Sequence, residues 1–222
     1  MNHFNLINGV LHAEDVALSD IADAVGTPVY VYSRATFERH AQVFRDALSG
    51  LDNPHIAFAV KSNPNLAVLK VLARQGYGAD VVSGGEMDRA LAAGMAAKDI
   101  VFSGVGKTAE EITRALKVGI GQFNIESEEE GRELADIATS LDLTAHAVLR
   151  INPDVDAGTH GKISTGKADN KFGVGIHRAA EIYARLSALP NLHMRGLALH
   201  IGSQLTSLEP LETAFTKVGV LV

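Results

Sequence analysis

Lys61 is the residue whose type and position point most directly to chemistry. It follows the apolar run Ile56–Val60 and precedes an Asn-Pro turn. A short apolar run of this kind is typical of a buried strand, so Lys61 is predicted to stand at the carboxyl end of one. Partial desolvation there would lower the pKa of its ammonium group, and the neutral amine could form an imine with an aldehyde. A lysine that simply carries its charge out to solvent is the commoner situation.

The elements that must position Lys61 follow a regular alternation of short apolar runs and amphipathic helical segments. The first five runs begin about 21 to 24 residues apart, which is the length of a strand–helix unit. Such units build a parallel sheet that either stays open or closes into a barrel, with active sites at the carboxyl ends of barrel strands. The runs predicted as strands are Ile56–Val60, Ala79–Val82, Ile100–Phe102, Gln122–Ile125, Ala145–Ile151 and Gly196–Ile201.

Local signals mark the ends of the helices between these strands. Two helix starts have the spacing of a capping box, in which a hydroxyl and a carboxylate satisfy free N–H groups of the first turn: Thr108 with Glu111, and Ser127 with Glu130. Three glycines follow helical segments, where a left-handed C-cap has little steric cost: Gly76, Gly94 and Gly119.

Both ends of the chain fall outside this period. Pro28–Ser33 is a short β-type run that leads into a helix predicted from Arg34 to Ser49. We predict that residues 1–33 contribute to a second, β-rich domain and that residues 34–222 form a partial barrel. About six of the eight strand–helix units of a TIM barrel can be counted. Glu209–Val222 is predicted as a helix ending on an apolar stretch, so the last barrel strands are expected to lie beyond it.

Composition argues against several other kinds of site. The formal net charge is −6 and the 20 basic residues are scattered, so no nucleic-acid partner is expected. With no cysteine, the chain can form neither disulfides nor thiolate metal sites, which suits a reducing cytoplasm. The nine histidines show no zinc-binding spacing, so no metal site is expected. The start lacks the pattern of a signal peptide and the apolar runs are too short to span a bilayer, so we predict a cytoplasmic protein without a membrane partner.

One motif imitates a nucleotide-binding loop. Gly106-Lys-Thr108 follows a predicted strand and opens a predicted helix, as the phosphate-binding loop of nucleoside triphosphatases does. That loop also requires a glycine five positions before Gly106, where this chain has Val101. Nucleotide hydrolysis is therefore rejected.

Six segments together resemble a known enzyme family in their order and spacing. They are AFAVKSNPN, ADVVSGGE, FSGVGKTAEE, LRINPDVDAGTH, KISTGKADNKFGV and LALHIGSQ. The family is that of the fold-type III pyridoxal-phosphate decarboxylases, and the resemblance is strongest to its diaminopimelate decarboxylase branch. It extends from about Pro28 to Gln204, and the INPDVDAGTH…KFG stretch is its most specific part.

The resemblance implies an α/β (β/α)8 TIM barrel of the alanine racemase and decarboxylase type, and pyridoxal 5'-phosphate as cofactor. Lys61 matches the Schiff-base lysine, and His200 matches the histidine whose ring stacks on the pyridine. Gly202 and Ser203 are suited to the cofactor phosphate, by close backbone approach and by a hydroxyl group.

Two further positions match polar residues beside the cofactor in this family, Asp80 and Arg150. A buried ion pair or a strand-end charge would explain each of them equally well. The long polar and glycine-rich stretch between Ile151 and Phe172 is expected to control substrate access, and removing Ala157–Asn170 should then cripple turnover.

The activity implied by the resemblance is decarboxylation of meso-diaminopimelate to L-lysine and carbon dioxide by a homodimer with shared active sites. Three alternatives stay open: another decarboxylase of this fold, an amino-acid racemase, or a non-catalytic protein that binds pyridoxal phosphate. In the resembled family the glycine-rich phosphate loop, the acidic partner of the pyridine nitrogen and the acid from the partner subunit would all lie beyond Val222. These 222 residues alone are therefore expected to be inactive.

Overall fold

The computed structural model describes residues 2–155 and 172–221, which form a small N-terminal sheet and a larger parallel sheet covered by helices. The small sheet is antiparallel, with its strands in chain order. Its strands and the two helices that follow are β1 (Phe4–Ile7), β2 (Val10–Ala13), β3 (Val16–Ala17), α1 (Leu18–Val25) and α2 (Arg34–Ala47).

The larger sheet has the hydrogen-bonded order β10-β8-β7-β6-β5-β4, with the short β9 beside β8, and its described strand pairs are all parallel. Helices connect successive strands, as expected for strand–helix units. The elements are β4 (Ala57–Ala59), α3 (Leu66–Arg74), β5 (Gly78–Val81), α4 (Gly84–Ala92), β6 (Ile100–Phe102), α5 (Ala109–Val118), β7 (Gln122–Ile125), α6 (Glu128–Ser140), β8 (Ala145–Asn152), β9 (Val174–Gly175), α7 (Ile176–Ser187), β10 (Leu192–Leu199) and α8 (Glu209–Gly219).

The main core lies between this sheet and its helices. Phe102 and Phe123 stack on neighbouring strands with ring centroids 6.4 Å apart, and both are almost fully buried. Helix α6 packs closely because Gly131 carries no side chain: a Cβ there would lie 2.6 Å from a methyl carbon of Leu186 on α7. The buried apolar residues therefore form one continuous core between the sheet and its helices.

The predicted barrel-type arrangement of alternating strands and helices is confirmed as a partial barrel, with β4 and β10 at the two ends of the sheet. The strand predicted from Gly196 instead begins at Leu192. The sequence pattern does not reveal the first residues of the strand because β10 contains a bulge. Met194 pairs with Ala147 and Gly196 pairs with the next residue, Val148, so Arg195 is an extra residue in β10.

The prediction of a β-type run at Pro28–Ser33 finds no strand partner among the described residues and stays a prediction. No described strand pairs with this segment, and Tyr30 is 89% exposed. A β-type sequence forms a strand only where a neighbouring strand supplies hydrogen bonds. The assignment of residues 1–33 to a second domain therefore stays a prediction.

The predicted helix caps are largely confirmed. Thr108 and Glu111 form both halves of a capping box, and Gly119 is a left-handed C-cap. Ser127 accepts a hydrogen bond from the backbone N–H of Glu130, but the Glu130 carboxylate binds elsewhere, so the second predicted box is only half formed. Gly76 and Gly94 also adopt positive φ, as expected of helix ends. In the described ranges, no helix has both the length and the apolar character needed to cross a membrane.

Candidate active site

A cavity of about 450 Å³ lies at the carboxyl ends of the strands of the larger sheet. This volume falls within the range of pockets that bind small molecules. Strand residues whose side chains alternate toward the inner face, and residues just past the strand ends, form its wall. The lining residues are Ala57, Ala59, Lys61, Asp80, Val101, Ser103, Asn124, Glu126, Arg150, Ala198, Leu199, His200 and Ser203.

Lys61 lies in a short 3-10 turn, Val60–Ser62, directly after β4. Val60 is fully buried, and the Ser62 hydroxyl donates a 2.7 Å hydrogen bond to the carbonyl oxygen of Ala59, so the turn is fixed on both sides of the lysine. Lys61 itself is exposed, whereas partial desolvation was expected from the sequence. In the described residues β4 is an end strand of the sheet, so the desolvation expected at Lys61 stays a prediction for the full-length protein.

A row of hydrogen bonds crosses the inner face of three neighbouring strands and ends at Asp80. The amide of Gln122 donates to Asn124 Oδ1 at 2.8 Å, and the amide of Asn124 donates to Ser103 Oγ at 2.9 Å. Ser103 in turn donates to Asp80 Oδ1 at 2.5 Å. Charge-assisted hydrogen bonds of this kind are short and strong, so the row fixes the Asp80 carboxylate at the cavity wall.

Arg150, near the end of β8, is held by an ion pair that the sequence analysis did not identify. Its Nη1 lies 2.7 Å from Oε1 of Glu126, and the two side chains are only 12% and 3% exposed. The Phe172 ring lies 5.2 Å from the guanidinium carbon, and Gly173 passes so close to the Arg150 backbone that a Cβ would meet its carbonyl oxygen at 2.8 Å. The Phe-Gly pair of the KFG sequence therefore packs against Arg150.

Lys107, from the motif that imitates a nucleotide-binding loop, supports the loop that carries Glu126. Its amine is buried and donates to the carbonyl oxygens of Gly104 at 2.6 Å and Asn124 at 2.8 Å, and to Glu130 Oε1 at 2.6 Å. The other oxygen of Glu130 accepts the backbone N–H of Glu126 at 2.8 Å. All three lysine protons therefore have partners within the protein, and the motif has a structural role.

His200 follows β10 on the cavity side. Desolvation of its ring lowers the pKa of His200, although the residue keeps contact with solvent. The positive charges of Arg150 and Lys61 lower it further, while Asp80 and Glu126 oppose the shift. The imidazole is therefore predominantly neutral at pH 7, which leaves a flat, uncharged ring at the wall of the cavity.

The structure brings five of the six predicted site residues to this cavity: Lys61, Asp80, Arg150, His200 and Ser203. Gly202 is buried and lines a separate, smaller pocket of about 90 Å³. The polar residues missed from the sequence are Ser103, Asn124 and Glu126. Each stands at or just past the end of a predicted strand, so applying the rule used for Lys61 to every strand would have found them.

Comparison with known proteins places this arrangement in a family. Residues 34–222 match the family described as pyridoxal-dependent decarboxylase, pyridoxal binding domain. The chain belongs to this family. The match confirms the resemblance and the pyridoxal cofactor predicted from the sequence.

Curated members of the family are similar along the whole chain. The diaminopimelate decarboxylase of Pseudomonas fluorescens is 55% identical over 224 residues, which cover 100% of this chain and 53% of that protein. The enzyme of the same name from Zymomonas mobilis is 52% identical, over 99% of this chain and 52% of its own length. The chain therefore spans about half the length of the curated relatives it matches.

Solved structures agree. The diaminopimelate decarboxylase of Helicobacter pylori complexed with L-lysine has a TM-score of 0.87 and 41% identity, covering 92% of this chain and 52% of that one. The M. jannaschii enzyme in co-complex with L-lysine has a TM-score of 0.89 and 34% identity, covering 99% and 52%. The partial barrel thus matches the corresponding part of both structures.

The residues at the cavity fit pyridoxal phosphate. A primary amine is the group that an aldehyde requires, and Lys61 supplies one at the wall. His200 supplies a ring that can stack on a planar cofactor, and Ser203 supplies a hydroxyl group suited to phosphate oxygens. The cavity wall also carries positive charges on Lys61 and Arg150 and negative charges on Asp80 and Glu126. Charged groups of an ionic cofactor could therefore pair with residues of opposite charge.

Proposed function

We propose that the protein, at the full length of its curated relatives, decarboxylates meso-diaminopimelate to L-lysine and carbon dioxide with pyridoxal phosphate. The observation that carries the proposal is the meeting of Lys61 and His200 at one cavity, in a chain that is 55% identical to a diaminopimelate decarboxylase. The L-lysine bound in two of the similar structures supports the same substrate class.

Pyridoxal phosphate, when bound, supplies an aldehyde for a lysine amine and a ring that takes up the electron pair left when carbon dioxide departs. In this proposal the Lys61 amine holds the cofactor, and the same amine is the group placed to carry a proton to and from the substrate carbon. The neutral ring of His200 covers one face of the cofactor. Ser203, with the backbone at Gly202, contributes to the phosphate site.

The remaining wall residues set the polarity of the cavity. Asp80 is fixed by the hydrogen-bonded row that reaches it through Ser103, and Arg150 is fixed by Glu126. Asp80 and Arg150 therefore present opposite charges to whatever occupies the cavity. This arrangement suits a substrate that carries both an ammonium group and carboxylates, because each charge finds a partner of opposite sign.

We also propose that the full-length protein is a cytoplasmic homodimer that acts on a small amino acid and binds neither nucleic acid nor membrane. The absence of cysteine supports the cytoplasmic location, and the net charge of −6 argues against a nucleic-acid partner. Size-exclusion chromatography with light scattering would measure the subunit number, and a monomer that retains full activity would contradict the dimer.

The decisive experiment is product analysis with the purified full-length protein. With meso-diaminopimelate and pyridoxal phosphate, we expect equimolar carbon dioxide and lysine. Carbon dioxide from another amino acid alone would indicate a different decarboxylase, inversion of configuration without carbon dioxide would indicate a racemase, and cofactor binding without turnover would indicate a binding protein. Any of these three results would refute the proposed substrate or reaction.

A covalent test locates the cofactor. Borohydride reduction followed by peptide mass spectrometry should place pyridoxal phosphate on Lys61, and Lys61→Ala should abolish the attachment. Lys70→Ala is the matched control, because Lys70 is an exposed lysine on α3 outside the cavity wall. Attachment to another lysine in the wild-type protein would overturn the assignment of Lys61.

A further inference from the structure

We propose that Glu126 is a positioning residue of the cofactor cavity, which holds the Arg150 guanidinium in place and balances its charge. The inference rests on the proposed function, since it concerns the same cavity, and it adds a residue that no sequence motif indicated. Glu126 begins the loop between β7 and α6 and contributes to the cavity wall.

The environment of the Glu126 carboxylate is unusual. The side chain is 3% exposed, and its Oε1 receives the 2.7 Å hydrogen bond from Arg150. Its Oε2 is buried and finds no hydrogen-bond partner among residues 2–155 and 172–221. A buried carboxylate is costly unless it is paired, so the ion pair with Arg150 supplies most of the compensation that this group receives from the described chain.

The backbone at Glu126 is fixed independently of that ion pair. Its N–H donates to Glu130 Oε2 at 2.8 Å, and Lys107 holds the other oxygen of Glu130 at 2.6 Å. Lys107 also holds the carbonyl oxygen of Asn124, two residues before Glu126. The carboxylate therefore projects from a braced loop, and its position does not depend on Arg150.

Two uncharged residues also contact Arg150. Phe172 packs against the guanidinium, and Gly173 allows the chain to pass close to the Arg150 backbone. These contacts limit where the side chain can go, but they carry no formal negative charge. In the described residues Glu126 is the acid that forms an ion pair with Arg150, so it determines both the orientation and the charge balance of the guanidinium.

The charges that act on His200 show why this balance matters in the cavity. Two are positive, Lys61 and Arg150, and two are negative, Asp80 and Glu126. If Glu126 lost its charge, the positive charges would outnumber the negative ones. A protonated nitrogen held in the cavity would then be less stable.

The test uses the full-length protein and the substitutions Glu126→Gln and Arg150→Gln, alone and together. Gln keeps the shape of Glu126 but removes its charge. We expect E126Q to weaken pyridoxal phosphate binding about 10-fold or more, as for other contacting charges whose coupling is lost. The absorbance of the Lys61-linked cofactor changes when it loses a proton. We expect the pH midpoint of this change to be lower in E126Q than in the wild-type protein.

The double variant separates positioning from general damage. If Glu126 acts through Arg150, E126Q/R150Q should bind cofactor no more than about 2-fold more weakly than R150Q, since coupled residues are not additive. Its absorbance midpoint should also return toward the wild-type pH, because the double substitution removes one charge of each sign. Additive losses of affinity would overturn the proposal.

Glu128→Gln is the matched control. Glu128 lies two residues further along the same segment and forms ion pairs with Arg185 and Arg132, outside the cavity wall. E128Q should leave cofactor affinity and the absorbance midpoint unchanged. If the wild-type protein binds cofactor and E126Q matches E128Q in cofactor affinity and absorbance midpoint, the role of Glu126 is refuted. If the wild-type protein binds no cofactor, the proposed function itself fails.

Discussion

Replacing Lys107 with methionine should destabilise the protein more than any ordinary surface substitution. Methionine fills a similar volume but cannot donate hydrogen bonds. The substitution leaves two backbone carbonyls, at Gly104 and Asn124, and one oxygen of Glu130 without the donor that they now share. The Lys107 side chain is 1% exposed and that of Glu130 is 14% exposed, so water can reach these groups only poorly.

The expected loss follows from this geometry. Removing one partner of a buried ion pair typically costs about 3–5 kcal/mol, because the other charge stays buried and uncompensated. Partial access of water to Glu130 argues for the lower part of that range. Even about 3 kcal/mol is a large share of the roughly 5–15 kcal/mol by which a typical domain is stable. The backbone around Asn124 and Glu126 would loosen as well.

Urea unfolding of the full-length apoprotein, followed by circular dichroism, would measure the loss. Lys70→Met is the control, since Lys70 is an exposed lysine within a helix. The double variant K107M/E130Q should recover part of the stability, because the uncompensated charge is gone while an acceptor remains for the Glu126 N–H. A loss of less than about 1 kcal/mol in K107M would refute the structural role of the lysine.

Two further substitutions test the packing and the electrostatics of helix α6. Gly131→Val should cost about 1–3 kcal/mol in urea unfolding, because its Cβ would crowd the buried Leu186, whereas Gly50→Val, in open space, should cost far less. The second test concerns pH. Hydrogen bonds from Arg185 and Arg132 lower the pKa of Glu128 from its usual 4.5 to about 2. Its stabilising contribution is therefore complete above about pH 4.5 and is lost as the pH falls toward 2. The stability difference between wild type and E128Q should shrink over that interval, and a difference that stays constant down to pH 2 would contradict the ion pairs.

The barrel frame was predictable because it depends on local periodicity. Buried parallel strands give short, mostly apolar runs, and Ile100–Phe102 has the same bounds in the sequence prediction and in the structure. Gln122–Ile125 also has the same bounds in both, although its Gln and Asn side chains face the cavity side. Lys61 and His200 were found because a family resemblance added meaning to their strand-end positions. Neither the frame nor the resemblance depends on knowing which side chains touch.

The features that escaped prediction depend on contacts between distant parts of the chain. The pairing of Glu126 with Arg150 joins residues 24 positions apart, and no local pattern distinguishes this glutamate from its acidic neighbours. Lys107 belongs to a motif that suggests phosphate binding, yet its partners lie up to 23 positions away. The segment 156–171, expected to control substrate access, lies outside the described residues, so that expectation stays a prediction.

The bulge in β10 decides which way His200 faces. In a regular strand successive side chains alternate between the two faces, so one extra residue reverses the faces of everything that follows it. Because Arg195 is that extra residue, Ala198 pairs with Arg150 and turns with it toward the cavity, and His200, two residues later, follows. If Arg195 instead paired with Val148 in a regular ladder, every later residue would move by one position, and the histidine would face the helices.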